Sequence, residues 1–218
     1  KVQFDDSCDE LATFIYDPEE SHKKPPIYIG FGSMAISSKA KLLRTLLDAL
    51  RFTSQRAIIL RGWAKLGVDC LDAALDAEVI AYANRNVMWV ESVAHDLVMH
   101  KCSISIIHGG AGTTASALRA GKPVIVLPFA FDQGYMADRV VDLGVGYRAP
   151  SITNCSARAL SSLILRALDN EEMQKRVSEL SLKIQKEDGV GNSVKIVRDE
   201  IAVHAERMAQ GGDIPAKS

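Results

Sequence analysis

Short apolar runs alternate along this chain with longer segments in which apolar residues recur at the spacing of an α-helix. The helical spacing is clearest at 39–51, where leucines recur three or four positions apart. We predict strands at 27–31, 57–60, 87–90, 104–107, 124–127 and 145–148, and helices at 39–51, 113–120, 133–143 and 156–168. The state of 71–86 stays open. Apolar strands that alternate with helices predict an α/β fold, a Rossmann-like parallel sheet with helices on both faces.

The two ends of the chain depart from this pattern. We predict a polar lead-in or interdomain linker at 1–24, because 17–24 are mostly charged and Pro25-Pro26 would stop any helix before them. The segment 171–208 predicts two polar-faced helices with a break near Gly189 and Gly191, and 210–218 predict a disordered tail. One domain is therefore expected over 25–209.

Composition narrows the classes of partner. The 218 residues are 47% hydrophobic and 24% charged, and the formal net charge of -1 gives no field that attracts nucleic acid or an acidic membrane. No run of 18 apolar residues or signal peptide is found, and the four cysteines form no CxxC pair. We therefore expect free thiols and a cytoplasmic location, with any membrane contact made through regions outside this chain. Because the first residue is Lys1, we expect a piece of a longer protein.

In an open parallel sheet, ligands bind beyond the carboxyl ends of the strands, and three segments of unusual composition follow predicted strands. The first is Gly30 to Met34 (GFGSM), whose glycines would let backbone approach a ligand closely. A simple tight turn explains the segment equally well. Because Ala35 replaces the last glycine of a GxGxxG pattern, a standard dinucleotide site is not indicated.

The second segment, 108–114 (HGGAGTT), opens a predicted helix. Its glycines expose backbone N–H groups, the helix N-terminus adds partial positive charge, and His108 and Thr113 add side-chain donors. This combination predicts an anion site, specifically a phosphate site built without lysine. The alternative is that Thr113 only caps the helix and that His108 is a hydrogen-bonded core residue.

The third segment, 128–133 (PFAFDQ), ends in an Asp-Gln pair. Asp132 and Gln133 together offer carboxylate and amide acceptors and two amide donors, a set that suits the vicinal hydroxyls of a sugar. A helix N-cap by Asp132 is the alternative, and on local sequence alone it is favoured. Among the other histidines, His95 and His100 have no metal-ligand spacing, so no metal site is predicted.

Taken in this order, the segments resemble the C-terminal domain of family 1 glycosyltransferases of the GT-B fold, and the sterol 3β-glucosyltransferases in particular. Motifs of that branch match 25–34 (PPIYIGFGSM), 56–66 (RAIILRGWAKL), 108–123 (HGGAGTTASALRAGKP) and 128–133 (PFAFDQ). The likeness runs from about residue 25 to residue 146, and the combined signature is highly specific. The resemblance implies that 25–209 form a nucleotide-sugar-binding domain.

The resemblance also implies a reaction and a phosphate site. The donor would be a UDP-sugar, which is UDP-glucose in this branch. The sugar would be transferred to a lipid-like alcohol with inversion of configuration at the sugar carbon, and no metal or other cofactor would be needed. The Thr113 hydroxyl would contact a phosphate oxygen. The donor diphosphate would be held by His108 and by the backbone amides of Gly110, Ala111, Gly112 and Thr113.

Further roles follow from the same resemblance. Asp132 and Gln133 would hold the glucose hydroxyls, and Val93 would pair with uracil through its backbone. Gly32 and Ser33 would line the interdomain cleft near the phosphates.

Three positions depart from the family pattern. Ala94 replaces the usual proline of the loop that would contact uracil, so that loop is expected to be looser. Many plant relatives place a tryptophan under the uracil and a glutamate on the ribose, whereas this chain has Ser92 and Ser116. Diphosphate binding is therefore better supported than the identity of the nucleotide.

The catalytic base of the family is a histidine near the start of the N-terminal domain, and 1–24 contain no counterpart. The acceptor pocket belongs to that same N-terminal domain. We therefore expect this chain to be the donor-binding part of an enzyme, with the acceptor-binding domain as its partner and no catalytic residue of its own. Two alternatives are a nucleotide-sugar-binding or regulatory subunit that completes a partner chain, and an unrelated phosphate-binding α/β enzyme.

Overall fold

The computed structural model describes residues 6–16 and 24–209, and its centre is a six-stranded parallel sheet in the order β3-β2-β1-β4-β5-β6. The strands are β1 (Ile27–Gly30), β2 (Ala57–Leu60), β3 (Val87–Val90), β4 (Ser105–Ile107), β5 (Val124–Val126) and β6 (Gly146–Arg148). Each lies within a residue or two of its predicted position. The Rossmann-like α/β fold is confirmed.

Helices connect the strands and continue beyond the last one. They are α1 (Asp6–Tyr16), α2 (Lys39–Thr53), α3 (Ala77–Asn86), α4 (His95–Val98), α5 (Ala111–Arg119), α6 (Gln133–Asp142), α7 (Ala157–Asp169), α8 (Glu171–Gln185) and α9 (Gly189–Ala209). The segment that the sequence left open, 71–86, ends in α3. No helix in the described part of the chain combines the length and the apolar character needed to cross a bilayer.

Both faces of the sheet are buried, because successive strand residues point to opposite sides. On one face Ile29 and Ile59 pack with the leucines of α2 and with Ile164 of α7. On the other face Tyr28 and Ile58 pack with Val140 of α6. Two apolar layers explain why these strands are apolar at every position and not at alternate ones.

The prediction that 1–24 are only a polar lead-in is wrong, because α1 lies within them. Leu11 is buried in the second core, which is the apolar layer on the Tyr28 and Ile58 face of the sheet. The Arg56 guanidinium lies 4.1 Å from the ring centroid of Phe14 and donates a hydrogen bond to the Phe14 carbonyl. The proline pair lies far enough beyond Tyr16 to leave this helix undisturbed. Residues 17–23, which form most of the charged stretch, lie outside the described residues.

The C-terminal helices also differ from the prediction. The break falls at 186–188, and Gly189 and Gly191 lie inside α9. Contacts within the chain divide it into two compact units, 1–184 and 185–218, and the described part of the second unit is mainly α9. The predicted disordered tail at 210–218 lies outside the described residues. The limits predicted for the nucleotide-sugar-binding domain stay a prediction.

Candidate functional site

The three segments selected from the sequence follow β1, β4 and β5, which are adjacent strands of the sheet. From β1 the sheet continues to β2 and β3, and from β4 it continues in the other direction to β5 and β6. The crevice beyond the carboxyl ends of β1 and β4 is therefore a topological switch point, the place where open α/β sheets bind their ligands.

Two glycines have different functions here: Gly30 is the last residue of β1, and Gly32 lies in the loop that follows it. Gly32 has a φ of +57° and its Cβ position would be 3.2 Å from Cε1 of His108, so both its conformation and its surroundings favour glycine. Gly30 was interpreted as a place where backbone approaches a ligand, but a Cβ there would be 2.7 Å from the hydroxyl of Tyr28. Its space is therefore taken by the protein itself. Ser33 is exposed beside Gly32.

His108 follows β4 and occupies the centre of the crevice. The residue is 9% exposed, and its ring lies between Gly32 and Gly110. A Cβ at Gly110 would be 2.5 Å from His108 Nε2. The buried Nδ1 atom of His108 has no hydrogen bond of normal distance and angle within the described residues, although the Gly30 backbone lies near the ring. Burial lowers the pKa of the imidazole, while the Gly30 backbone and the Asp132 carboxylate act in the opposite direction.

Helix α5 begins at Ala111, two residues earlier than predicted, with Gly110 at its N-cap. Thr113 therefore lies in the first turn, and its interpretation as a simple cap is wrong. The first intrahelical bond runs from the Thr114 amide to the Gly110 carbonyl, 2.9 Å, so the amides of Ala111, Gly112 and Thr113 have no acceptor within the helix. No other part of the described chain lies within 4 Å of a Cβ at Gly112. These donors can reach an anion.

Thr114, which sequence reasoning did not select, is more buried than Thr113. It has no exposed surface, and its hydroxyl lacks a hydrogen-bond partner in the part of the chain that the structure describes. The HGGAGTT motif offered two adjacent threonines and no pattern to separate them. Burial now distinguishes them, because the half-buried Thr113 is the one that an external ligand can reach.

In the loop between β5 and α6, the Asp-Gln pair consists of one exposed and one buried side chain. The Oε1 atom of Gln133 accepts hydrogen bonds from the Phe129 and Ala130 amides, at 2.8 and 3.2 Å, and its Nε2 lies 3.3 Å from the sulfur of Met34. Gln133 is buried, so this side chain holds its own loop together. Asp132 is exposed and occupies the N-cap position of α6, as the alternative predicted, but its side chain accepts no capping bond from the described residues.

Phe131 stands at the tip of this loop in an unusual conformation. Its φ is +59°, and its side chain is 90% exposed. A bulky residue rarely adopts this left-handed region, and such conformations concentrate at functional sites. The strain therefore falls immediately before the exposed carboxylate of Asp132.

The loop after β3 carries the residues expected near a nucleobase. Val93 is half-buried against the second core, while Ser92 and Ala94 are exposed. The adjacent turn after β2 is joined to this strand, since the Arg61 amide donates to the Val90 carbonyl at 2.9 Å. The turn also touches the loop after β1, because a Cβ at Gly62 would lie 3.0 Å from the carbonyl oxygen of Gly32. The loops after β1, β2 and β3 thus form one continuous edge.

The crevice therefore combines helix-terminal amides, a buried imidazole and an exposed carboxylate. Asp132 and His108 are close enough for the carboxylate to favour the charged imidazole, although they follow different strands. In 6–16 and 24–209, no three His, Cys, Asp or Glu side chains cluster as a metal site would require. The predicted absence of a metal requirement stays a prediction.

Comparison with known families and sequences identifies the type of domain. A family model described as "Erythromycin biosynthesis protein CIII-like, C-terminal domain" matches residues 69–189. The sterol 3-beta-glucosyltransferase UGT80B1 of Arabidopsis thaliana is 39% identical over 170 residues, which cover 78% of this chain and 26% of that protein. A sterol 3-beta-glucosyltransferase of Saccharomyces cerevisiae is 33% identical over 192 residues, which cover 88% of this chain and 15% of that protein. The chain thus spans about a quarter or less of the length of these relatives.

Solved structures agree on the fold. The UDP-glucose: anthocyanidin 3-O-glucosyltransferase in complex with UDP superposes with a TM-score of 0.66 at 16% identity, over 81% of this chain and 39% of that one. The glycosyltransferase VinC in complex with DTDP gives a TM-score of 0.59 at 19% identity, over 81% of this chain and 42% of that one. The chain belongs to the family 1 glycosyltransferases, in which it is an EryCIII-like C-terminal domain with the Rossmann-like fold of GT-B enzymes.

Proposed function

We propose that this chain is the donor-binding domain of an inverting glycosyltransferase that transfers glucose from UDP-glucose to a sterol or a similar lipid-like alcohol. The observation that carries the proposal is the position of His108, which is buried between Gly32 and Gly110 at the N-terminus of α5 and at the switch point of the sheet. The similarity to sterol 3-beta-glucosyltransferases supports the choice of donor and acceptor.

The diphosphate would lie at the N-terminus of α5. The amides of Gly110, Ala111, Gly112 and Thr113 and the Thr113 hydroxyl would donate to its oxygens, and the helix dipole would favour its charge. His108 would add a donor that gains positive charge as the anion approaches. In an inverting transfer these fixed donors would stabilise the leaving diphosphate while the acceptor oxygen attacks the sugar carbon.

The sugar would bind at the loop after β5. Asp132 is exposed and its carboxylate is free to accept from two hydroxyls of the hexose. Gln133 would contribute less than its carboxamide suggests, because Oε1 is engaged by the Phe129 and Ala130 amides. Its Nε2 faces the weak acceptor Met34 Sδ and could exchange that contact for a sugar hydroxyl.

The nucleobase would lie against the loop after β3, with uracil paired to the backbone of Val93. Gly32 and Ser33 would line the cleft on the phosphate side. The exposed aromatic side chains of Trp63 and Phe131, 82% and 90% exposed at this end of the sheet, would face the acceptor or the domain that carries it. The partner would be an N-terminal domain with the acceptor pocket and the base. We place the full-length protein in the cytoplasm, with any membrane contact outside this chain.

A calorimetric titration tests the donor assignment. We expect the folded 218-residue chain to bind UDP and UDP-glucose weakly, with Kd in the millimolar to high-micromolar range, or about -4 to -6 kcal/mol. TDP should bind less tightly, because its methyl group distinguishes it from UDP at the base. Binding of UDP with no transfer activity in any longer natural form would favour the alternative of a regulatory binding module. Absence of heat at millimolar UDP would contradict donor binding.

A further inference from the structure

A tyrosine without solvent exposure lies in the middle of the sheet. Tyr28 of β1 pairs with Ile58 on one side and with Ser105 on the other. A buried phenol hydroxyl needs a hydrogen-bond partner, and here the partner is Nδ1 of His95, 2.7 Å away. The two rings meet edge to face, with centroids 5.8 Å apart. The contact joins residues 67 positions apart, so sequence reasoning had no local signal for it.

The direction of this hydrogen bond follows from the chemistry of the two groups. Burial raises the pKa of the Tyr28 phenol far above its usual range, so the hydroxyl keeps its proton. Nδ1 of His95 is the one acceptor that the described residues offer this buried O–H group, so the hydroxyl donates there. The nearby thiol of Cys102 donates to the Val98 carbonyl at 3.4 Å, which leaves Nδ1 of His95 to the phenol. A neutral imidazole whose Nδ1 accepts carries its proton on Nε2.

The second ring nitrogen of His95 faces the opposite way. His95 begins α4, just after the loop that contains Val93, and its side chain is half-buried. Since the two nitrogens of an imidazole point in roughly opposite directions, Nε2 points away from the buried phenol. His95 also lies near enough to His108 for positive charge on His95 to disfavour the charged form of His108. Because His95 directly follows the Val93 loop and lies near His108, its Nε2–H group can serve as a donor at this end of the sheet.

Gly30 is required for this arrangement. It lies two residues after Tyr28 on the same strand, and a Cβ at this position would be 2.7 Å from the tyrosine oxygen. A larger residue would displace the hydroxyl from the space in which it reaches His95. The first glycine of the GFGSM segment thus serves the tyrosine, which explains why glycine occurs at a strand position where φ alone does not demand it.

We infer that Tyr28 is a positioning residue that fixes the tautomer of His95, so that Nε2–H is held ready to donate to an oxygen of a bound nucleoside diphosphate. The inference rests on the proposed function for the ligand, but the tautomer can be tested without one. His95 would be a ligand-binding residue, and Tyr28 would act through it. Neither residue was selected for this function from the sequence.

Nitrogen-15 NMR of the histidine rings in the 218-residue chain tests the first step. We expect His95 to be the Nε2–H tautomer in the wild type and a mixture of both tautomers in Tyr28→Phe. Tyr82→Phe is the matched control, because that half-buried hydroxyl donates to the backbone carbonyls of Leu50 and Gln55, at 3.0 and 2.9 Å. It should leave the His95 spectrum unchanged. An Nε2–H tautomer that persists in Tyr28→Phe would overturn the inference.

Titration with UDP tests the second step. Tyr28→Phe should weaken UDP binding by about 3- to 10-fold, the size of one net hydrogen bond, whereas Tyr82→Phe should not. Glutamine in His95→Gln donates through an amide N–H group that does not depend on a tautomer. Adding Tyr28→Phe to this variant should therefore change the Kd for UDP by less than about 2-fold. Wild-type chain that binds no UDP would contradict the proposed function. Wild-type chain that binds UDP, with Tyr28→Phe equally tight, would overturn this inference alone.

Discussion

The imidazole of His108 lies over the backbone of Gly110, where a Cβ atom would come within 2.5 Å of Nε2. Because the ring is also confined by Gly32, it cannot move aside without disturbing the crevice. Gly110 is therefore glycine to leave room for the histidine. Its φ of -62° lies in a region open to every residue, so backbone conformation is not the reason.

Alanine substitutions at Gly110 and Gly112 compare a glycine that is packed against His108 with one that has free space around it. Gly110→Ala should destabilise the fold by about 1–3 kcal/mol, the usual cost of overpacking a filled site. Gly112→Ala adds a Cβ that no other described part of the chain approaches within 4 Å, and it should stabilise the helix by about 0.5–1 kcal/mol. Urea unfolding followed by circular dichroism measures both. Equal effects of the two substitutions would contradict the packing of His108 against Gly110.

The lowered pKa of His108 predicts a pH dependence of stability. Above its ordinary value of 6.5 the imidazole is neutral in both the folded and the unfolded chain, so pH has no effect through this group. Below 6.5 the unfolded chain takes up a proton that the folded chain resists, and the free energy of unfolding falls. Unfolding at about pH 7 and about pH 5.5 should show a smaller fall in His108→Gln than in the wild type. An identical fall would contradict the burial of a neutral imidazole.

The buried carboxamide of Gln133 should matter for folding more than its sequence motif suggests. Gln133→Ala removes the acceptor of the Phe129 and Ala130 amides and should cost about 1–3 kcal/mol of unfolding free energy. Asp132→Ala removes an exposed side chain and should change stability by about 0.5 kcal/mol or less. Thermal unfolding of both variants checks the difference. A stable Gln133→Ala variant would show that its loop is held by other contacts.

Sequence reasoning located the crevice because the carboxyl ends of parallel strands meet at one edge, so motifs distant in sequence become neighbours in space. It selected His108 and Asp132 for that reason, and the structure brings these two side chains close together. It missed α1, whose few apolar positions lie in a polar segment and become meaningful once Leu11 packs on the sheet. It also missed the bond between Tyr28 and His95, because a hydrogen bond across 67 residues leaves no periodic signal.

The strained residue at the tip of the β5–α6 loop should limit stability. An L residue in the left-handed region costs about 1–2 kcal/mol, which glycine largely avoids. Since Phe131 has a φ of +59° and is 90% exposed, Phe131→Gly should raise the unfolding free energy by about 1 kcal/mol. Phe131→Ala removes the same ring but keeps the strain, so it should give little gain. Calorimetric unfolding measures the stability of both variants. An equal rise in unfolding free energy would mean that removal of the exposed ring, and not relief of backbone strain, stabilises the chain.

The chain by itself should not transfer glucose to a sterol at a useful rate. Rate enhancement depends on holding both reactants in one geometry, and we assign only the donor to this domain. A base must also lie within hydrogen-bond reach of the acceptor hydroxyl. On the tautomer that we infer for His95, Nδ1 accepts from Tyr28 and Nε2 carries the proton, which leaves this imidazole unsuited to the role of base. His108 is assigned to the diphosphate.

Product formation from radiolabelled UDP-glucose and a sterol measures this directly. We expect no glucoside above background from the 218-residue chain, and turnover once the N-terminal domain of a longer natural form is added, fused or in trans. Asp132→Ala in the reconstituted enzyme should then reduce turnover, because a charged hydrogen bond to the sugar is worth about 1.5–3 kcal/mol. Glucoside from the chain alone would require a base within it. Loss of that activity in His95→Gln would identify His95 as the base and would exclude the tautomer assigned to it, since an imidazole protonated at Nε2 with Nδ1 engaged has no nitrogen left to accept a proton.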